Sequence, residues 1–75
     1  MAHDRIVWDP KIMSGKPVIK GTRIPVENVL RWLGRGTSVE TLLDEYPTLT
    51  REDIQAAQTF AADFLANERL VTAAE

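Results

Sequence analysis

The sequence predicts an α+β domain, mostly α, in which a short N-terminal β arm or hairpin precedes three helices arranged as a helix-turn-helix-like bundle. Three observations carry this. Three of the four prolines and two of the four glycines fall in the first 25 residues, so a turn-rich extended arm gives way to a helical body near residue 25. Beyond that point apolar residues recur at i, i+3, i+4 and i+7 in two successive windows. A four-residue break over 47–50 then separates the second window from a longer helical pattern. One domain is expected over 1–75, with the arm at 1–25, the three-helix body at 26–70 and a tail at 71–75.

In the arm, Ile6-Val7-Trp8 is a brief β-prone run ending at the turn dipeptide Asp9-Pro10. Ser14-Gly15 marks a second turn. Pro17-Val18-Ile19-Lys20 and Arg23-Ile24-Pro25 flank Gly21-Thr22, and a two-residue turn opening on Gly predicts a hairpin of type II′ geometry. Pro17 and Pro25 cannot donate to a ladder and belong at strand ends or on an edge. A lone hairpin is marginal in water, so the arm must pack on the helices or pair with a second chain.

The first helix is expected over 26–35. Val26, Val29, Leu30 and Leu33 form its stripe, Arg31 and Arg35 suit its negative end, and Gly36 stops it. Trp32 lies just off the stripe, as a flanking core aromatic or as an anchor for a partner. Ser38 caps a short second helix with the stripe Val39, Leu42, Leu43, Tyr46, which Pro47 ends. Thr50 caps the third, with Glu52 and Asp53 at its positive end, and the pattern runs to about Leu70. Ile54, Ala57, Ala61, Phe64 and Leu65 form its expected core face. Gln58 falls inside that stripe, as a satisfied buried amide or part of an interface. Arg51, Glu52, Gln55, Thr59 and Asp63 form the polar face.

A chain of 75 residues buries only roughly 60% of its unfolded surface. One such core rarely supplies more than about 3–5 kcal/mol, so small domains of this size use disulfides, metals or partner chains. There is no cysteine and only one histidine, His3, which excludes disulfides and a Cys/His zinc site. A homodimer or a hetero-partner is therefore expected, and no cofactor. No apolar run reaches membrane-spanning length and the first residues lack an apolar signal core, so the expected location is cytoplasmic. No nucleophile has a histidine to activate it, so no enzyme is expected. Ser14-Gly15-Lys16 resembles the end of a phosphate loop, but Pro17 stands where Ser or Thr is required. The adjacent acids Asp44-Glu45 and Glu52-Asp53 read as capping and solvent-facing charges.

Charge is polarised along the chain. Residues 1–36 carry seven bases against three acids, and residues 37–75 carry two bases against eight acids. This gives either a basic arm for nucleic acid or an acidic partner, or two halves that attract each other within or between chains. A third helix of a helix-turn-helix reads the major groove. Arg51, Gln55 and Thr59 are the groove candidates here, since Arg and Gln can pair bidentately with base edges. Lys16, Lys20 and Arg23 are the phosphate candidates, or else a charged edge that blunts strand pairing. Past the third helix's core stripe, Leu70 and Val71 form an apolar end flanked by Glu68 and Glu75, suited to docking in a partner's groove or else a frayed tail.

The string Lys16-Pro17-Val18-Ile19-Lys20-Gly21-Thr22-Arg23-Ile24-Pro25-Val26 resembles the hallmark of domain-of-unknown-function family 433. Gly36-Thr37-Ser38-Val39-Glu40, Asp44-Glu45-Tyr46-Pro47 and Leu49-Thr50-Arg51-Glu52-Asp53-Ile54 agree with it, and the resemblance covers roughly residues 6–65. Two departures stand out: Ser14-Gly15 where the family often has Gly-Gly, and Phe60 where it often has Tyr. The resemblance implies a winged or homeodomain-like helix-turn-helix fold and an antitoxin of the VapB type. Such a protein binds and neutralises a PIN-like nuclease toxin, often encoded beside it, and binds operator DNA as an autoregulator. Acids near the C-terminal end could also meet a nuclease's basic substrate channel. The alternative is a non-enzymatic interaction module that blocks a partner without binding DNA; the acids on the third helix favour it.

Overall fold

The computed structural model of the protein describes residues 3–68. Strand β1 (Ile6–Val7) pairs antiparallel with β2 (Val18–Ile19), with Ile6 opposite Ile19 and Val7 opposite Val18. Helices α1 (Val26–Gly34), α2 (Val39–Glu45) and α3 (Arg51–Glu68) follow. The predicted class, a short β arm on three helices, is what forms.

The arm departs from the expected hairpin in two ways. Val18-Ile19 pairs with the distant Ile6-Val7, and the expected 23–25 strand contributes only a bridge between Val18 and Pro25. Ile19 N–H donates to the Ile24 carbonyl at 3.0 Å and Val26 N–H to the Pro17 carbonyl at 2.9 Å, so β2 is flanked on both edges. The turn is also shifted by one residue. Thr22 N–H donates to the Ile19 carbonyl at 3.0 Å, which centres the turn on Lys20 and Gly21. Gly21 sits third with φ +83°, the position at which a type II turn needs positive φ. Thr22 Oγ1 donates to the Ile19 carbonyl and accepts from Ile24 N–H, closing the turn from inside. Between β1 and β2, one 3₁₀ turn (Met13–Gly15) is left-handed, with positive φ at Met13, Ser14 and Gly15.

The helices follow local chemistry. Gly36, at φ +95°, ends α1: its N–H donates to the Leu33 carbonyl and Thr37 N–H to the Trp32 carbonyl, a Schellman closure. Ser38 caps α2, its side chain accepting from Thr41 N–H at 3.1 Å. Pro47 follows the last turn as expected. Thr50 and Asp53 form a reciprocal capping box: Asp53 N–H donates to Thr50 Oγ1 and Thr50 N–H to Asp53 Oδ2, each at 3.1 Å.

The core lies where the β pair, α1 and α2 meet the first half of α3. Ile19, Leu42, Ile54, Val18 and Val29 are its fully buried large side chains. Each such burial is worth about 1.5–3 kcal/mol. On α3, Ile54, Ala57 and Phe60 are buried, whereas Phe64 and Leu65, expected in the core, are half-exposed. At 1.5 Å per residue the helix of 18 residues is about 27 Å long and outruns the body beneath it. Gln58 is exposed. Asp53, expected to face solvent, is only 6% exposed, because Arg5 of the arm reaches it. Among the described residues no helix is long and apolar enough to cross a membrane.

Candidate nucleic-acid interface

The N-terminal end of α3 gathers bases from three parts of the chain. Arg51 opens the helix, exposed, and its Nη2 donates to Glu40 Oε2 of α2 at 3.2 Å. Arg5, half-exposed, leads into β1 and donates from Nη1 to Asp53 Oδ1 at 3.0 Å. Lys20 N–H donates to the Arg5 carbonyl at 2.7 Å, which fixes the tip of the β2 turn beside Arg5. Arg23 lines a shallow cleft of about 530 Å³ together with Ile12, Thr22 and Thr48, and Thr48 belongs to the connection between α2 and α3.

Glu40 lies below the ordinary glutamate range, first through its own backbone amide and then through Arg51. Arg51 and Arg5 are thus compensated by Glu40 and Asp53. Lys20 and Arg23 are exposed and have no ion pair among the described residues. They leave a local positive excess, with Glu52 the exposed acid nearest in sequence to the helix start.

Arg51, Gln55 and Thr59 are all exposed and repeat every four residues, so they share one face of α3. Asp53, which Arg5 meets, is two positions on from Arg51 and so about 200° round the helix from that face. Lys16 is not part of it. It sits at the open end of the hairpin, away from the 20–23 turn, with Nζ 3.3 Å from Glu27 Oε1 on α1. Lys16, ahead of Arg31, holds Glu27 below the ordinary glutamate range. Trp32 is half-buried and stacks on Tyr46, the ring centroids 4.7 Å apart and nearly parallel. Leu70 and Val71 lie outside the described residues. Arg5 joins the site without having been singled out by sequence: its role depends on Asp53, 48 residues away. The capping position of Asp53 was the only available signal. Among the described residues no group of three or more His, Cys, Asp or Glu is placed to hold a metal ion.

Comparison with known proteins bears on the whole arrangement. The chain is 38% identical over 60 residues to the uncharacterized protein y4eO of Sinorhizobium fredii, covering 80% of this chain and 27% of that protein. It is 64% identical over 28 residues to an uncharacterized protein of Archaeoglobus fulgidus, 37% of this chain and 78% of that one. The crystal structure of a DUF433 member protein from Anabaena variabilis superposes with a TM-score of 0.75 at 34% identity, covering 79% of this chain and 58% of that chain. The chain therefore spans about a quarter of y4eO and somewhat over half of the Anabaena protein. Residues 6–61 match the model of the family described as "Protein of unknown function (DUF433)", and the chain belongs to that family.

Proposed function

We propose that this chain is a non-catalytic antitoxin that binds and neutralises a PIN-like nuclease and also binds operator DNA as an autoregulator. The observation that carries the DNA part is the delivery of Lys20 and Arg23, through the Lys20–Arg5 backbone bond and the Thr48 cleft, to the N-terminal end of α3. A helix-turn-helix contacts bases with the first turns of its second helix and phosphates from flanking elements. Here α2 and α3 are those helices, Arg51 and Gln55 the base readers, and Lys20 and Arg23 the phosphate contacts. The antitoxin part extends the family resemblance.

A second reading, a partner-blocking module without DNA, has its own support. Arg51 is engaged by Glu40, and Glu52 and Asp63 lie exposed along α3, where they would repel phosphate. A mobility-shift titration with the DNA upstream of the gene separates the two. Lys20→Ala with Arg23→Ala should weaken binding to all sequences and flatten the salt slope by about one for each phosphate no longer neutralised. Arg51→Ala should relax preference at one base position, at about 1–3 kcal/mol. Absence of any salt-dependent shift, with or without the product of the adjacent gene, would remove the DNA part and leave the second reading.

A further inference from the structure

A second surface lies at the other end of the hairpin from Lys20 and Arg23. A groove of about 390 Å³ runs between the arm, α1 and the C-terminal half of α3, floored by Val26, Leu30 and Ala61 and walled by Trp8, Phe64 and Leu65. Its walls stand open: Trp8 is 57% exposed, Phe64 49% and Leu65 51%. Trp8 and Phe64 each pack against Phe60, with ring centroids 5.2 and 6.2 Å from it, so the walls are held in place. Monomers rarely leave several large apolar side chains contiguous and uncovered.

The shape and charge of this patch select its occupant. A two-fold interface buries the same patch of each copy against itself, so the patch must be self-complementary, as one with both a projection and a recess is. This patch has both: the overhanging turn with Phe64 and Leu65 projects, and the floor of Val26 and Leu30 recedes. The rim on the α1 side is basic, with Lys16 and Arg31 around the single acid Glu27. Over 52–68, α3 carries four acids and neither Lys nor Arg; Asp63, half-exposed, has its Oδ2 3.1 Å from His3 Nε2.

We propose that this groove is the interface between two copies of this chain, with the α3 overhangs antiparallel. Each Phe64–Leu65 turn seats in the other copy's groove, and each acidic overhang meets the other's Lys16–Arg31 rim. The interface is independent of the DNA-binding reading, since none of its residues lies at the start of α3.

Light scattering across micromolar concentrations tests it. The full chain should give twice 8.4 kDa. Leu65→Glu should give 8.4 kDa with unchanged helical circular dichroism, because Leu65 is half-exposed in one copy. Trp8→Arg, on a different element, should do the same. Lys16→Glu, which reverses the rim charge, should weaken the dimer. A mass of 8.4 kDa at every concentration, or a dimer indifferent to both Leu65→Glu and Trp8→Arg, would overturn the proposal. So would a monomer whose Leu65→Glu variant loses binding to the adjacent gene's product, which would assign the groove to that protein.

Discussion

Asp53 carries three duties with one residue. Its carboxylate accepts from Thr50 N–H, its own N–H is held by Thr50, and it neutralises Arg5. Removing a residue of the capping box costs about 0.5–2 kcal/mol, and leaving a part-buried partner unpaired adds to that. Asp53→Ala should therefore lower stability by about 2 kcal/mol in urea titrations, and Arg5→Ala, whose side chain is half-exposed, by clearly less. Equal losses would mean that the ion pair, not the cap, dominates. Ser14 makes the opposite case. At φ +59° it occupies left-handed backbone that an L-residue adopts at a cost of about 1–2 kcal/mol, against a loss of about 0.5–1 kcal/mol for glycine's extra freedom in the unfolded chain. Ser14→Gly should raise stability by about 0.5–1 kcal/mol in the same titration. At this scale the sequence was legible where the chemistry is local. Ser38, Thr50 and Gly36 sit next to the backbone groups they satisfy, and their roles followed from residue type alone. The burial of Asp53 did not, because its partner is supplied by the arm.

Elements show the same division. Helix starts, and the stops of α1 and α2, were readable from caps and stripes: α1, α2 and α3 begin directly after Pro25, Ser38 and Thr50, while the expected end of α3 near Leu70 lies outside the described residues. Strand pairing was not, since Ile6-Val7 and Val18-Ile19 each make a run of only two residues and pair across the whole turn-rich stretch 8–17. The stripe on α3 told which residues align but not where the supporting body ends, so Phe64 and Leu65 were expected inside. The joint between β2 and α1 is electrostatic at its open end, and it yields a pH prediction. Glu27 is held below the ordinary glutamate range by Lys16 first and Arg31 second. A depressed folded value means that the pair's contribution is present above the unfolded glutamate value and is lost as pH falls through the folded one. Lys16→Ala should thus lower the thermal midpoint slightly at neutral pH and leave it unchanged in strong acid. Because the pair is exposed, added salt should shrink the neutral-pH difference as well. A difference that persists in acid would show that Lys16 acts through its aliphatic stem.

At the scale of the whole molecule, the polarised charge of the sequence resolves into two separate surfaces. Part of it is consumed within the fold, where Arg5 and Asp53 join the basic arm to acidic α3. Lys20 and Arg23 remain outward at the start of α3, and the apolar groove sits beyond the hairpin's open end. A chain this small reaches about 3–5 kcal/mol from its core, so the proposed burial of the groove against a second copy would add to its stability. The site residues on α3 were readable as one face from their spacing of four. That Lys16 stands apart from Lys20 and Arg23 was not, because extended β2 lies between Lys16 and the turn that carries Lys20 and Arg23. If the chain neutralises a nuclease by binding it, the direct measurement is RNA cleavage by the purified product of the adjacent gene as this chain is titrated in. Cleavage should fall linearly and vanish at a fixed stoichiometric ratio, with the two proteins eluting as one complex. Undiminished cleavage at a large excess of the chain, with the two eluting separately, would contradict the antitoxin reading.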